Sequence, residues 1–506
     1  MNNIEINENF KRAIELIENT NKNVFITGRA GTGKSTLLKY IRSISKKRMV
    51  VLAPTGVSAL NVKGQTIHSF FNFKPDITIS KVKKIDETDL YKNIDTIIID
   101  EISMVRADLL DCIDKFLRLN RENFEPFGGV QMVFIGDLYQ LPPVITKEEE
   151  FAFNLIYETP YFYSANIFKN FDMEFIELEK VYRQKDREFI EILNSIRNNT
   201  ITDEQLKIIN NRYNPHFQPE SDDFYIYLVT TNKDAERINN SEIEKINGES
   251  YIFRGSIEGD FQMEYLPTYI ELKLKLGAQV MMVNNDKYGR WVNGSIGKVV
   301  YINPEKQVVY VKLSNGEEVE VFPYTWEIFK YYIEENELKT KTVGEFTQFP
   351  IILAWAVTIH KSQGKTFEKV IIDIGKGTFT YGQIYVALSR CRSLDGIILK
   401  KPISKKNIWV DFRIVDFLTK YQYKKSEEKI SFEEKLKKIE KAIKYKKEIK
   451  IVYLKPNDEK TERIIIPETI EEMEFSGKRF IGVKAFCKKR NEYRNFRIDR
   501  IIDIIP

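Results

Sequence analysis

The sequence has few cysteines and no long apolar run. Its three cysteines, Cys112, Cys391 and Cys487, lie far apart and show none of the spacings typical of zinc ligands. This favours a reducing compartment and argues against a disulfide scaffold or a zinc site. No apolar run approaches the roughly 20 residues that a membrane-spanning helix needs. The N-terminal MNNIEINENF also does not have the basic-then-apolar pattern of a signal peptide. We therefore expect a cytoplasmic, bacterial protein that does not bind membranes.

The length and charge of the chain set broad limits on its organisation. The 506 residues suggest about three or four domains, and 42% hydrophobic residues are enough for packed cores. The net charge is only +5, but from residue 421 onward about 23 Lys and Arg face about 16 Asp and Glu. A basic C-terminal part on a near-neutral body is typical of nucleic-acid contact. A solvated lysine-rich surface explains the charge equally well.

Short apolar runs alternate with helical patterns in the first third of the chain. The runs are at 24–27, 49–53, 96–99 and 132–135, and each ends on a polar or glycine-containing loop. Buried strands separated by helices predict a parallel sheet with functional loops at the carboxyl ends of the strands.

A second series of candidate strands follows later, with a different pattern inside it. These strands are at 225–229, 280–283, 351–354 and 370–374. Between about 270 and 345 the sequence changes to short strands and turns, with an Asn-Gly hairpin signal at 315–316. We predict a small β-barrel inserted into a second α/β domain. A Lys/Glu-rich helical stretch at 421–450 then leads to a final α+β segment.

A glycine-rich loop between the first apolar run and a helix fits the P-loop pattern. Its sequence is GRAGTGKS at 28–35. Glycines allow the backbone N–H groups to surround a phosphate, Lys34 reaches the β- and γ-phosphates, and Ser35 offers a hydroxyl to Mg²⁺. The following helix adds its positive N-terminal end. The predicted ATP-binding residues are Gly28, Arg29, Ala30, Gly31, Thr32, Gly33, Lys34, Ser35 and Thr36.

Polar residues at the ends of two later strands complete a predicted ATPase site. Asp100 and Glu101 end a buried strand. Asp100 would hold Mg²⁺ through water or Ser35, and Glu101 would orient and activate the attacking water. Gln140 ends the next strand and could sense a γ-phosphate by a hydrogen bond. The alternatives are a solvated acidic pair and an ordinary polar loop.

An ATPase that couples hydrolysis to movement would also need a second domain that closes on the nucleotide and supplies arginines to the transferring phosphoryl group. Two candidates are Arg183 in KVYRQ and Arg390 in ALSR. Most arginines are surface residues, so composition alone does not single these two out.

Eleven segments together resemble the superfamily 1 helicases that travel 5′→3′, specifically the petite-integration-frequency (PIF) family. The matching strings are GRAGTGKS at 28–35, APTGVSAL at 53–60, GQTIHSFF at 64–71, IIIDEISMV at 97–105, FGGVQMVFIGDLYQLPPV at 127–144, LEKVYRQ at 178–184, LVTTNKDAERIN at 228–239, LKLGAQVMMVNND at 274–286, WVNGSIGKV at 291–299, AVTIHKSQGKTF at 356–367 and GQIYVALSRCRSL at 382–394. They occur in the family's order across roughly residues 4–410. RecD-type helicases share several of them.

The resemblance implies a role for each matching residue. The implied catalytic residues are Lys34, Asp100, Glu101, Gln140, Arg183 and Arg390, with Ser35 and Asp100 as Mg²⁺ ligands. The residues implied to line the single-strand track are Thr55, His68, Asn232, Thr358, His360, Lys361 and Ser362. Hydroxyl and imidazole groups suit phosphate and sugar contacts. A half-buried strand or turn is the alternative interpretation of these strings.

The C-terminal segment resembles a WYL domain. The matching features are KIVY at 450–453, IIIP at 464–467 and KAFCKKRNEYRNFRIDRI at 484–501. Ile481-Gly482-Val483 stands where that domain has its aromatic tripeptide. Arg494, Arg497 and Arg500 could form a basic face that binds single strands; a basic packing module without a ligand is the alternative.

The predicted fold class is α/β, with two RecA-like parallel-sheet domains, an inserted small β-barrel of the Src-homology-3 type and a C-terminal α+β WYL-like domain. The predicted domains are 1–165 for the first ATPase domain with a small insertion at about 70–90, 166–270 with 346–412 for the second, 271–345 for the barrel, 413–432 for a linker and 433–506 for the WYL-like domain. Trp291 is expected to pack the barrel core, or otherwise to stack on a base.

One departure from the family concerns the base of the nucleotide. The family usually has a glutamine in the N-terminal helix that reads adenine, and Phe10, beside Asn9, stands at that place. The departure affects the expected selectivity for adenine and leaves the expected hydrolysis unchanged.

The resemblance implies an ATP-dependent 5′→3′ DNA helicase that acts in replication, repair or recombination. The expected cofactors are ATP and Mg²⁺. The expected partners are single-stranded DNA and forked or tailed duplexes, with G-quadruplex DNA as a further candidate, and a monomer is expected. The alternatives are a translocase that removes bound proteins, an ATP-switched nucleic-acid-binding regulator, and a motor that acts on RNA.

Overall fold

A computed structural model describes residues 6–220, 222–375, 377–378, 380–455, 460–475 and 478–505. The chain forms two compact units. The first comprises Met1–Asn194 and Ile201–Trp409, and the second Ser195–Thr200 and Val410–Pro506. Within the described residues, no helix is both long and apolar enough to cross a membrane.

The first unit begins with a six-stranded parallel sheet in the order β3-β2-β4-β5-β1-β6. Its strands are β1 (Val24–Gly28), β2 (Met49–Ala53), β3 (Gln65–Thr66), β4 (Thr96–Ile99), β5 (Gln131–Ile135) and β6 (Glu174–Leu178). Its helices are α1 (Glu8–Asn19), α2 (Lys34–Ile44), α3 (Gly56–Asn61), α4 (Ile67–Phe71), α5 (Asp89–Asn93), α6 (Ala107–Arg121) and α7 (Lys147–Asn154).

Apolar side chains on both sides of this sheet explain why it forms. All five residues of β1 are buried, as expected for a central parallel strand. Residues of α1 and α2 pack on β1 and β5 in one core cluster. Because β6 pairs with β1 along its whole length, the first sheet extends to Leu178. The sequence-based boundary at 165 leaves this last strand out.

The chain then forms α8 (Arg187–Arg197), α9 (Asp203–Asn210), β7 (Ile226–Val229) and α10 (Asn232–Lys245) before a long β-rich insertion. The strands of the insertion are β8 (Tyr251–Arg254), β9 (Ser256–Gly259), β10 (Glu271–Leu274), β11 (Gln279–Met282), β12 (Ile296–Asn303), β13 (Val308–Leu313), β14 (Glu318–Val321), β15 (Tyr324–Glu334), β16 (Glu337–Gln348) and β17 (Ile351–Leu353).

The insertion contains several antiparallel sheets. The largest has the order β14-β13-β12-β11-β17, and β15, β16 and β9 form a second. The predicted hairpin at Asn315-Gly316 joins β13 to β14. Trp291 is buried in the core of the larger sheet, and its Nε1 donates to Asn284 Oδ1 at 2.9 Å. Of its two predicted roles, the structure shows core packing. Among the described strands, β14 and β17 do not pair with each other, so a Src-homology-3-type barrel stays a prediction.

The chain returns to α/β structure with β18 (Ala356–Thr358), β19 (Val370–Asp373), α11 (Gln383–Ser389) and β20 (Ile397–Leu399). These strands and β7 form a parallel sheet in the order β18-β7-β19-β20. The second domain is therefore made of two chain segments on either side of the insertion.

The second unit is an α+β domain. Its elements are α12 (Phe412–Lys429), α13 (Phe432–Lys444), β21 (Ile449–Leu454), β22 (Lys460–Phe475), β23 (Lys478–Cys487), β24 (Glu492–Arg497) and β25 (Ile501–Ile505). The strands form an antiparallel sheet in the order β24-β23-β22-β21-β25. Ile439 of α13 packs on its apolar face, and a capping box of Ser431 and Glu434 begins that helix. Most of the predicted linker at 413–432 is helix α12.

Candidate active site

The P-loop has the backbone conformation that phosphate binding requires. Gly31 and Gly33 have φ angles of 81° and 90°, in the left-handed region that favours glycine. A Cβ on Gly31 would lie 2.5 Å from the Cβ of Arg183. Lys34 begins α2, and its Nζ donates to Gly28 O at 2.6 Å and to Arg29 O at 3.1 Å. These bonds place the ammonium group over the loop.

A cleft of about 850 Å³ opens beside this loop. The cleft is lined by residues 30–36, Glu101 and Gln140 together with Arg183, Gly364 and Arg390. The structure thus brings residues 30–36, Glu101, Gln140, Arg183 and Arg390 into one cleft from segments up to 360 positions apart in the chain. Asp100 is buried beside Glu101 and is not among the residues that line the cleft.

The two acidic residues at the end of β4 differ in their surroundings. Asp100 is buried, and burial together with the neighbouring charge of Glu101 raises its pKa to about 7. Glu101 has φ 51° and ψ 43°, a left-handed conformation uncommon for a non-glycine residue. Its Oε2 accepts a hydrogen bond from Gln363 Nε2 at 3.0 Å. Burial raises the pKa of Glu101, and the positive charges of Lys34 and Arg390 oppose that shift.

Two guanidinium groups meet at the end of α11. Arg390 is almost completely buried, with its Nε donating to Val386 O at 3.0 Å and its Nη2 to Ser389 Oγ at 2.9 Å. Arg183 Nη1 donates to Ser389 O at 3.1 Å. Burial, with the like charge of Arg183, lowers the pKa of Arg390. Two positive groups that line one cleft would stabilise a negative phosphoryl group bound there.

The residues of the implied Mg²⁺ site have a suitable donor set. Ser35 is exposed near the start of α2, and the carboxylate of Asp100 follows β4. A hydroxyl and a carboxylate oxygen are ligands that Mg²⁺ takes when it also holds phosphate oxygens and water. These two residues therefore fit the ion, although their role stays a prediction.

The residues of the first domain that are predicted to line the single-strand track lie at one edge of the first sheet. Ala53 of β2 pairs with Thr66 of β3, and Thr55 and His68 each follow two residues later. Thr55 caps α3, where its hydroxyl accepts from Ser58 N. Burial lowers the pKa of His68, so it offers hydrogen bonds more readily than charge.

The residues of the second domain that are predicted to line the single-strand track lie at the corresponding edge of the second sheet. Thr358 of β18 pairs with Val229 of β7, which brings 358–362 close to Asn232 at the start of α10. Asn232 and Lys361 are exposed, and burial lowers the pKa of His360.

Two of these residues, Thr358 and Ser362, use their hydroxyls for hydrogen bonds within the turn that follows β18. Thr358 Oγ1 accepts from Lys361 N at 3.2 Å, and Ser362 Oγ donates to Ile359 O at 2.7 Å. Both residues are buried. In this structure they shape the turn, in which Lys361 is exposed.

The sequence alone did not single out Gln363, Tyr385 or Tyr265. Gln363 holds Glu101, and Tyr385 reaches the P-loop from the second domain. Tyr265 of the insertion hydrogen-bonds to Thr66, with 3.0 Å between the two hydroxyls. Gln363 and Tyr385 lie inside the family-like strings, and this position was the only feature of the sequence that could have marked them as functional. Tyr265 lies outside all of them.

Comparisons with known proteins identify the family. A model of the PIF1-like helicases matches residues 3–207, and a WYL domain model matches 434–506. The ATP-dependent DNA helicase Pif1 of Bdellovibrio bacteriovorus is 30% identical over 433 residues, covering 83% of this chain and 93% of that protein. The chain belongs to the PIF1-like helicases.

Solved structures of the PIF1-like helicases have the same fold. Bacteroides sp Pif1 in complex with ADP-AlF4 is 39% identical, covers 83% of this chain and 98% of its own, and has a TM-score of 0.77. Bacteroides Pif1 bound to single-stranded DNA is 39% identical, covers 82% and 96%, and has a TM-score of 0.61. The predicted family, the α/β fold class and an ATP-dependent helicase enzyme are confirmed, as is the C-terminal WYL domain.

In this PIF1-like helicase, the structure shows the surroundings of Phe10, the residue predicted to replace the adenine-reading glutamine. Phe10 is buried against the P-loop, with its ring 3.2 Å from where a Cβ of Gly33 would stand. The amide of Asn9 donates to Glu177 O at 2.9 Å. Tyr182, which also lies next to Gly33, has a more exposed ring, and its hydroxyl accepts a hydrogen bond from Asn7 Nδ2 at 3.2 Å.

The arginines proposed for the WYL domain differ in their partners. Arg494 pairs with Glu492 at 2.7 Å, and Arg497 with Asp499. Arg500 interacts with the hydroxyl of Tyr453. Two of the three charges are thus partly neutralised by neighbouring carboxylates, and a basic face formed by all three stays a prediction.

Proposed function

We propose that this protein is an ATP-driven motor that moves 5′→3′ along single-stranded DNA and unwinds duplex DNA. The observation that carries the proposal is the two-sided cleft. Lys34 and Glu101 come from the first parallel sheet, and Gln363 and Arg390 come from the second domain. A cleft built this way makes hydrolysis depend on the relative position of two domains, which is what a motor needs.

The chemical roles follow from the geometry of the cleft. Glu101, held by Gln363 and close to the charges of Lys34 and Arg390, is placed to orient the attacking water. Lys34, Arg183 and Arg390 would stabilise the charge of the transferring phosphoryl group. Gln140 would sense the γ-phosphate. Ser35 and Asp100 would hold Mg²⁺, which neutralises phosphate charge when bound.

The proposed DNA contacts lie on both parallel sheets. Thr55 and His68 follow neighbouring strands of the first sheet, and Asn232, His360 and Lys361 follow neighbouring strands of the second. ATP would close the cleft and hydrolysis would open it, so that the two sets grip the sugar–phosphate backbone in turn and advance one domain. Contacts of this kind predict binding that is salt-sensitive and largely independent of sequence.

The relatives support DNA as the substrate. The Bdellovibrio protein is named a DNA helicase, and the Bacteroides protein has been crystallised with single-stranded DNA. We extend this to tailed or forked duplexes for the present chain. A G-quadruplex ligand, a monomeric state, a cytoplasmic location and single-strand binding by the WYL domain stay predictions.

The test is ATP hydrolysis with and without single-stranded DNA, alongside unwinding of 5′-tailed and 3′-tailed duplexes. DNA-stimulated hydrolysis and opening of only the 5′-tailed duplex are expected, and Glu101→Gln should abolish both. Stimulation without unwinding would favour the translocase. Hydrolysis indifferent to DNA would favour the regulator, and stimulation by RNA alone would favour an RNA motor. Unwinding from a 3′ tail alone would overturn the proposed direction.

A further inference from the structure

Tyr385 of α11 places its hydroxyl between two parts of the first domain. The side chain is buried. The hydroxyl oxygen accepts a hydrogen bond from the backbone N–H of Ala30 at 2.9 Å, and the O–H donates to Asp137 Oδ2 at 3.3 Å. A residue of the second domain therefore contacts the P-loop backbone and the loop after β5 through one atom.

The hydrogen bonds continue from Asp137 to Gln140. Asp137 Oδ2 also accepts from Gln140 Nε2 at 3.2 Å, and Oδ1 accepts from Tyr139 N at 3.3 Å. Asp137 is fully buried, so its carboxylate depends on such donors. Ala30, Tyr385, Asp137 and Gln140 thus form a continuous polar chain across the cleft.

The start of α11 touches the same loop independently of the tyrosine. Gly382, with φ 72°, precedes the helix, and a Cβ there would lie 2.5 Å from Tyr139 O and 2.6 Å from Gln140 O. Arg390 directly follows the same helix. A shift of the loop at Gln140 would therefore also move the start of α11, the helix that positions Arg390.

We propose that Tyr385 is a positioning residue that couples the state of the P-loop to the helix carrying Arg390. The proposal rests on the proposed ATPase function. A P-loop N–H is a donor for phosphate oxygens, so phosphate and the Tyr385 hydroxyl compete for the N–H of Ala30. The tyrosine then relays phosphate binding to Asp137, Gln140 and α11. The arginine reaches its working position only when the P-loop holds phosphate.

Tyr385→Phe tests this by removing one oxygen while keeping the ring. With saturating single-stranded DNA, kcat for ATP hydrolysis should fall about three- to tenfold, the range expected when one hydrogen bond is removed. KM for ATP should stay equal or fall, because the Ala30 N–H no longer has a competing acceptor. Damage to the fold would instead raise KM.

Tyr157→Phe is the matched control. Tyr157 is also buried in the first unit, and its hydroxyl donates to Asp111 Oδ2 at a distance of 3.0 Å. Neither residue lines the cleft. This variant should lower thermal stability to a similar extent and leave kcat unchanged. Asp137→Asn provides a second measurement: its effect on kcat and that of Tyr385→Phe should not add in the double variant.

The possible outcomes separate the two proposals. A wild-type protein that does not hydrolyse ATP overturns the proposed function and the relay with it. If the wild type is active and Tyr385→Phe keeps its kcat, the relay alone is wrong. A raised KM, or additive effects with Asp137→Asn, would also overturn the relay.

Discussion

At the residue scale, Glu101 combines a strained backbone with a carboxylate that is held in place. A non-glycine residue in the left-handed region costs about 1–3 kcal/mol and persists where the surroundings enforce it. Here the buried neighbour Asp100 and the hydrogen bond from Gln363 fix the side chain beside Lys34. The strain therefore occurs where the carboxylate must face the cleft.

Glu101→Gln keeps the shape of this side chain and removes its charge. We expect kcat to fall about 10²- to 10⁴-fold, the usual contribution of a general base, while ATP affinity is kept because Lys34 still reaches the phosphates. Steady-state hydrolysis and nucleotide binding measure the two effects. Gln363→Ala should give a smaller loss of kcat, since it frees the carboxylate without removing it. A Glu101→Gln enzyme with wild-type turnover would contradict the role.

Phe10 leads to a second prediction, on nucleotide selectivity. A site that hydrogen-bonds a substrate group rejects analogues by large factors, whereas apolar contact discriminates weakly. Because Phe10 has no side-chain group that can hydrogen-bond to a base, we expect kcat/KM for ATP and GTP to differ by no more than about tenfold. Parallel hydrolysis assays with both nucleotides measure this. Phe10→Gln should raise the preference for ATP, and a wild-type preference above about a thousandfold would show that another residue reads the base.

Single residues were predictable from sequence where their spacing is fixed by local structure. Lys34 and Ser35 follow a strand and a glycine-rich turn, and Glu101 follows a later buried strand. Gln363 and Tyr385 were not predictable in this way, because their partners Glu101 and Ala30 lie 262 and 355 positions away in the sequence. Such pairings depend on how two domains meet, which no local pattern encodes.

At the element scale, α3 and the insertion are in tight contact at Gly56. A Cβ at Gly56 would lie 1.8 Å from Tyr265 Cδ1, and the Tyr265 hydroxyl bonds to Thr66. Gly56→Ala must therefore displace the ring. We expect it to lower the free energy of unfolding by about 1–3 kcal/mol, as overpacking does, measured by chemical denaturation.

Tyr265→Ala supplies the control for this prediction. With the ring removed, Gly56→Ala should cost much less, because the added methyl then meets an open space. Equal costs in both backgrounds would mean that the contact with Tyr265 is not what requires glycine.

Element types were easier to predict than element ends and pairings. The alternation at 308–321 indicated a hairpin, and β13 and β14 form it. The end of the first sheet was missed because β6 is recognisable only by its pairing with β1. The closure of the insertion into a barrel likewise depends on pairing between distant strands, which alternation along the chain does not specify.

At the scale of the whole molecule, the architecture was predictable from the order of the sequence patterns along the chain. Two series of short apolar runs, with a strand-and-turn pattern inside the second, predicted two parallel sheets and a β-rich insertion. The eleven strings predicted the family, and the family membership confirms the fold class. The excess of about seven positive charges after residue 421 is a property of the second unit. Charge alone does not say whether nucleic acid or only water faces it.

A triple substitution in the second unit addresses that question. Arg494→Ala, Arg497→Ala and Arg500→Ala together remove three positive charges from the segment after β23. If this face binds single strands, affinity for single-stranded DNA falls, and the slope of log affinity against log salt decreases by about 0.7 for each phosphate that the protein no longer neutralises. Hydrolysis without DNA should not change.

Lys437→Ala, Lys438→Ala and Lys441→Ala, on the exposed side of α13, are the matched control with the same change in charge. If only the arginine variant changes the salt slope, the second unit presents a defined binding face. If both variants change it equally, the contribution is a general electrostatic attraction. If neither does, the DNA phosphates are bound by the first unit alone, and the excess positive charge serves solvation.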